Sequence, residues 1–313
     1  MQKTHQTTRI LALMAISSLV LGLAACGQGG AAKTDAPKAE ASAATSAEAK
    51  DAALTLVTSQ PPVVGQPVTV TLNLKGPEGT PLGPDAIATK HENKVHVMIV
   101  DAGLEDYTHV HATPGANPGE WNLAFTPKLA RSYKVWADFE LGSDAPAPKA
   151  KDEGHAHGVG ADHSHDAPKA ADAHPQNPSA DLLVGSDSPA ALAATQSLTS
   201  VVDGLTFTLS LGGAATKGQH VMTTLTVADA EGTPFAGLEP IMGAYAHLVG
   251  FSEGGASMLH GHPEGAEPKD ETARGGPILG FELHPKVSGT HRLFLQVQKG
   301  GKVLVVPFTL VVG

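Results

Sequence analysis

The sequence predicts an all-β chain of two tandem antiparallel sandwiches behind an export leader. Three observations carry this: apolar and polar residues alternate with period two, one half of the chain repeats the other, and no segment shows a helical stripe. The 35 glycines and 23 prolines put turns between short strands, and the few aromatics suit two modest cores better than one large one.

The leader comes first. Lys3 and Arg9 form a positive start, residues 10–23 (ILALMAISSLVLGL) an apolar run too short to span a bilayer comfortably, and Ala24 and Ala25 lead into Cys26. Leu23-Ala24-Ala25-Cys26 resembles the lipobox cut in bacterial lipoproteins. That resemblance implies removal of residues 1–25, a lipid on Cys26, and a chain anchored to a membrane at the cell envelope, facing the periplasm or the exterior. By the same analogy Gly27, which is not an aspartate, favours the outer membrane or an outward-facing site. Residues 26–50, mostly Gly, Ala, Lys, Glu, Asp and Ser, bury almost nothing and are expected to form a disordered tether. Cys26 is the single cysteine, so no internal disulfide forms. Without Lys3 and Arg9 the chain carries 19 basic and 31 acidic side chains, a formal −12, which excludes nucleic acid as a partner.

Strands follow in order. In residues 67–74 Val68, Val70, Leu72 and Leu74 share one face and Thr69, Thr71 and Asn73 the other; Leu205, Phe207, Leu209 and Leu211 repeat the pattern. Further strands are expected at 53–58, 95–101, 121–125, 132–140, 220–228, 245–252, 278–284, 290–298 and 302–312. They divide into a first domain, 51–187, and a second, 196–313. Residues 143–179 are low in complexity and read either as an insertion in the last hairpin of the first domain, with a partner strand resuming at 180–184, or as a plain linker.

The two domains are copies. Glu78-Gly79-Thr80-Pro81 recurs as Glu231-Gly232-Thr233-Pro234, His96, His109 and His111 recur with identical spacing as His247, His260 and His262, and Phe125-Thr126-Pro127-Lys128 matches Leu283-His284-Pro285-Lys286. Tyr133 aligns with His291, and the strand Tyr133 to Phe139 with His291 to Val297. The first copy has Ala112-Thr113-Pro114 after its last histidine where the second has Pro263 directly.

With these residues in view, Val95 to Val97, Gly103 to His111 and Tyr133 to Phe139 resemble the immunoglobulin-like domains of bacterial secreted and periplasmic proteins associated with copper or heavy-metal handling, the YtkA-like and FixH-like groups. The segments 237–240, 243–244, 247–249, 260–263 and 292–297 resemble them more closely. The resemblance implies an immunoglobulin-like sandwich in each copy and, more weakly, metal handling.

Thirteen residues from His96 to His109 suit a hairpin centred on Ala102-Gly103, and His247 to His260 one centred on Glu253-Gly254. Each pair would then lie directly opposite, with His111 and His262 two residues on and so on the same face. Three imidazoles would converge in each domain, a ligand set for copper or zinc. Met258 would add a thioether if it pointed inward, and His284 or His291 a fourth ligand, although packing roles suit all three as well. Histidines at strand ends can equally bond carbonyls and fix a hairpin. His155, His157, His163, His165 and His174, among acidic residues in 143–179, offer ligands without fixed geometry for copper, zinc or nickel.

Enzyme chemistry is not expected. There is no thiol nucleophile beyond Cys26, no phosphate-binding glycine loop and no nucleophile elbow. A blue-copper carrier lacks its cysteine, and a copper-zinc superoxide dismutase would lack its disulfide. Two readings remain: an envelope lipoprotein that buffers metal or delivers it to an envelope partner, and an interaction module whose histidines are structural.

Overall fold

The computed structural model describes residues 51–90, 93–142 and 174–313; the leader, the tether, Cys26 and most of 143–179 lie outside them. Among these residues the regular structure is strand, as expected, apart from two three-residue 3-10 turns at Pro84–Ala86 and Glu253–Gly255. The first half contains β1 (Ala53–Thr58), β2 (Val68–Lys75), β3 (Ile87–Ala88), β4 (His96–Asp101), β5 (Tyr107–His111), β6 (Thr113–Pro114), β7 (Glu120–Phe125), β8 (Ser132–Leu141), β9 (His174–Gln176) and β10 (Ser179–Leu183). The second contains β11 (Thr199–Val202), β12 (Leu205–Leu211), β13 (Val221–Ala228), β14 (His247–Ser252), β15 (Met258–Glu264), β16 (Ile278–Leu283), β17 (Gly289–Lys299) and β18 (Lys302–Val312).

Two immunoglobulin-like sandwiches result. In the first, the sheet β1-β2-β7-β6 faces the sheet β10-β8-β4-β5, and Val70, Leu72, Trp121, Val97, Ile99 and Val135 fill the space between. In the second, one path β11-β12-β13-β16-β15-β14-β17-β18 folds over on itself around Phe207, Leu225, Leu248, Phe281, Leu295 and Phe308. The fold-over happens inside β15, whose residues 258–261 pair with β14 and 262–264 with β16. Gly261 sits at that crossing because a Cβ there would lie 2.8 Å from Leu283 Cδ2 and 3.0 Å from the Leu248 carbonyl oxygen. In the first copy the same passage is broken in two, β5 pairing with β4 and β6 with β7, and the break falls at Ala112, where the copies' sequences part.

The ladders repeat as the sequences do. Asp101 lies opposite Tyr133, and Ser252 opposite His291. Gly79 and Gly232 both close their turns at positive φ, 80° and 82°. His291 is buried with Nδ1 on the Gly289 carbonyl, a packing role that takes it away from any metal cluster. β9 and β10 both return to pair with β8, Leu141 opposite His174 and Trp136 opposite Ser179, so the chain on either side of 143–173 belongs to one sheet of the first half.

β4 and β14 are buried along their whole length. Val97 and Ile99 point into the first core, whereas Met98 and Val100 point the other way. There they meet Leu104, Tyr107, Val249, Phe251, Met258 and Phe294 in a third apolar cluster built from both halves. Tyr107 stacks on Phe294 with ring centroids 4.5 Å apart and planes within 5°. The outer sheet faces of the two sandwiches therefore cover each other. His96, on the same face of β4 as Met98, is drawn into that junction.

Candidate metal centre

The β4–β5 hairpin is set by a buried carboxylate. Asp101 accepts the amides of Gly103 (2.8 Å), Glu105 (2.6 Å) and Asp106 (2.7 Å) and the Arg131 guanidinium (2.9 Å). Burial alone would raise its pKa, but the donors outweigh it and hold it below the usual carboxylate range. The loop so formed moves the register from the expected one: His96 lies opposite His111, and Met98 opposite His109. The second copy shifts identically, with Val249 opposite His260. A two-residue slip keeps every side chain on its face, so convergence within the first copy survives.

His96, His109 and His111 offer one nitrogen each within 4.8 Å of one another, the one such group of three among the described residues. Their ring centroids lie 4.5 to 5.9 Å apart. Tetrahedral coordination at roughly 2.0–2.1 Å places nitrogens about 3.4 Å apart, so side-chain rotations of about an ångström close the set on an ion.

Hydrogen bonds assign the tautomers. His96 Nε2 is 3.0 Å from the Lys90 carbonyl oxygen, which can only accept, so Nε2 holds the proton and Nδ1 the lone pair. That lone pair receives His111 Nε2–H at 3.2 Å. A carbonyl bond on the outer nitrogen is what orients a metal-bound histidine. It is also the bond a purely structural histidine makes, yet it uses one nitrogen and leaves the other turned toward the trio. Burial pushes His96 down to about 4, against the opposing effect of that carbonyl bond, and lowers His111.

His109 is different. It is 6% exposed, and neither ring nitrogen finds a hydrogen-bond partner among the described residues. Burial, then the neighbouring imidazoles of His247, His260, His96 and His111, press it well below its ordinary pKa. A neutral, buried imidazole with both nitrogens unmade carries an uncompensated desolvation cost of about 1–3 kcal/mol per group. Structural histidines avoid this cost; an open metal ligand accepts it.

Of the expected second trio, the side chains of His247 and His260 are described, and they take different partners. His247 is buried with its ring 5.2 Å from that of His109, and its Nε2–H donates to the Ile241 carbonyl at 2.9 Å, repeating the bond of His96. His260 instead reaches across the junction, Nδ1 2.7 Å from Asp138 Oδ2. His262 pairs opposite Glu282 on β16, and its side chain lies outside the described residues. The first expected trio thus stands, and His247 and His260 are brought beside it at the junction, because the face that carries the histidines in each copy is the face that docks on the other. Met258 is buried in the junction, packing as well as lining a neighbouring cavity. His155, His157, His163 and His165 lie outside the described residues, as does the side chain of His174.

Sequence reasoning missed Asp138. It lies opposite His96 on β8, and its counterpart in the second copy is Gln296, opposite His247. Burial would raise its pKa, but the His260 hydrogen bond and charge bring it down to about 2. A lone carboxylate in the apolar strand YKVWADF, aligned with a glutamine, was the available signal. The first copy alone brings a negative charge to the histidines, which favours a cation there.

The family described as a domain of unknown function (DUF8832) matches residues 47–147 and 200–313, one region in each sandwich. No curated protein matches the chain. Solved structures similar to it include the Escherichia coli adhesin FdeC, at 16% identity over 85% of this chain and 65% of that one with a TM-score of 0.22. Another is invasin, a bacterial integrin-binding protein, at 14% identity over 82% and 39% with a TM-score of 0.22. A third is MtrC from Shewanella baltica, at 8% identity over 83% and 68% with a TM-score of 0.21. The chain spans less than two thirds of the first two. With most of its length matched in two repeated regions, the chain belongs to the DUF8832 family.

Proposed function

We propose that this protein is an envelope lipoprotein, anchored through Cys26, that binds one copper or zinc ion among His96, His109 and His111 and buffers it or delivers it to an envelope partner. The observation that carries this reading is His109, buried between two other imidazoles with both nitrogens unpartnered. Asp138 supplies compensating negative charge, and the Lys90 carbonyl fixes the His96 tautomer. His96 already turns a lone pair toward the trio, and half-buried His111 would do the same by exchanging its Nε2 proton through solvent for one on Nδ1, with no net change of charge. The resemblance of both copies to domains of heavy-metal-handling proteins agrees with this role. The histidines of 155–174 gather ions loosely for the trio to hold. Among the described residues no helix is long and apolar enough to cross a membrane, which agrees with attachment through the leader's cysteine.

The second reading, an interaction module, draws on the carbonyl bonds of His96 and His247. Titration of the mature chain separates the two. With His155, His157, His163, His165 and His174 all changed to serine, the protein is expected to bind stoichiometric Zn(II) or Cu(II) still, and to lose it in the further variant His111→Ala. Absence of binding without the loop histidines would leave the interaction reading.

A further inference from the structure

A cavity of about 280 Å³ opens to solvent beside the junction, and its inner wall is the Asp138–His260 pair. His260 is 13% exposed in its side chain, and its partner Asp138 lies opposite His96 in the β4–β8 ladder, so the trio lies just behind that wall. The outer wall carries His220, Glu282 and His284. Val221 lies opposite Leu283 in the β13–β16 ladder, and one step beyond puts His220 opposite His284. Their rings stack with centroids 4.1 Å apart and planes within 16°, and His220 Nδ1 is 2.9 Å from Glu282 Oε1.

Resting on the metal-binding reading above, we infer that His220, Glu282 and His284 form a second, weaker transition-metal site, which loads the trio through the cavity and past the Asp138–His260 wall. Two imidazoles and a carboxylate are a ligand set that holds Zn(II). The stack aligns the rings and does not aim their nitrogens at one point, so a ring must turn to bind. Both rings are exposed and can do so. Lys286 at the same rim opposes a cation. Each feature weakens the grip, which suits a site that must give its ion up. Met258, also in the wall, offers a thioether along the path.

The test uses the full mature chain with the loop histidines changed to serine, and Zn(II) alone as probe. The parent is expected to bind two ions, one tightly and one weakly. His109→Phe, or His111→Ala if that variant does not fold, retains the weak ion only. His220→Ala/His284→Ala retains the tight ion at unchanged affinity, and its loading in stopped flow slows by about tenfold or more. Two ions bound by the His220→Ala/His284→Ala variant, or loading at the parent rate, would overturn the outer site. Should the trio variants bind as the parent does, the trio reading fails, and the outer site is still decided by whether His220→Ala/His284→Ala loses one ion.

Discussion

Replacing His109 by phenylalanine is expected to abolish tight metal binding while leaving the metal-free protein as stable as before, or more so. The imidazole is buried at the centre of the junction with two unmade hydrogen-bonding groups, so an apolar ring of similar shape removes a cost of about 1–3 kcal/mol and breaks no bond. The metal side runs the other way. Binding energies of about 10–16 kcal/mol for four-ligand structural zinc give about 3 kcal/mol per ligand, so losing one of three imidazoles weakens the ion on the order of 100-fold or more. Urea unfolding in chelator, beside a zinc titration, reads both. A variant clearly less stable in chelator, yet unchanged in metal affinity, would make His109 a packing residue.

Acid should loosen the metal-free protein well before ordinary carboxylates protonate. His96 is held neutral down to about 4 by burial, and burial likewise presses His109 well below its ordinary value, while an unfolded chain takes up these protons near pH 6.5. Below about 6.5 the unfolded state therefore binds more protons than the folded one, and stability falls with pH until the folded value is reached. His96 alone accounts for on the order of 3 kcal/mol between about pH 6.5 and 4. Above about 6.5 this contribution is complete and the profile is flat. Asp138 has the opposite sense, its stabilisation present above its ordinary value and lost only as pH falls toward about 2. Denaturation midpoints in chelator at pH 7.5, 5.5 and 4.5 check this. Equal midpoints at 7.5 and 4.5 would contradict a neutral, buried cluster.

Much of the architecture is legible in residue order. Val68, Val70, Leu72 and Leu74 alternate because one face of β2 meets a core and the other meets water, and the structure buries just those four. The trio was legible too, from the spacing of His96, His109 and His111 on strands of period two. The register was not, because the Asp101 carboxylate, bonded to three amides, makes a wider loop than a count of residues implies. The junction was the larger omission. HVMIVD is apolar on both faces, which is the mark of a strand covered on both sides, and its second cover is the other copy of the domain. For that reason His247 and His260 join the first copy's histidines, as neither local spacing nor the duplication alone indicates.

The most direct measurement is X-ray absorption at the zinc edge, on mature protein with the loop histidines changed to serine and loaded with one equivalent of Zn(II). The account predicts a nitrogen-rich shell near 2.0–2.1 Å with outer-shell scattering from at least three imidazoles. A shell of oxygens with at most one imidazole would contradict it.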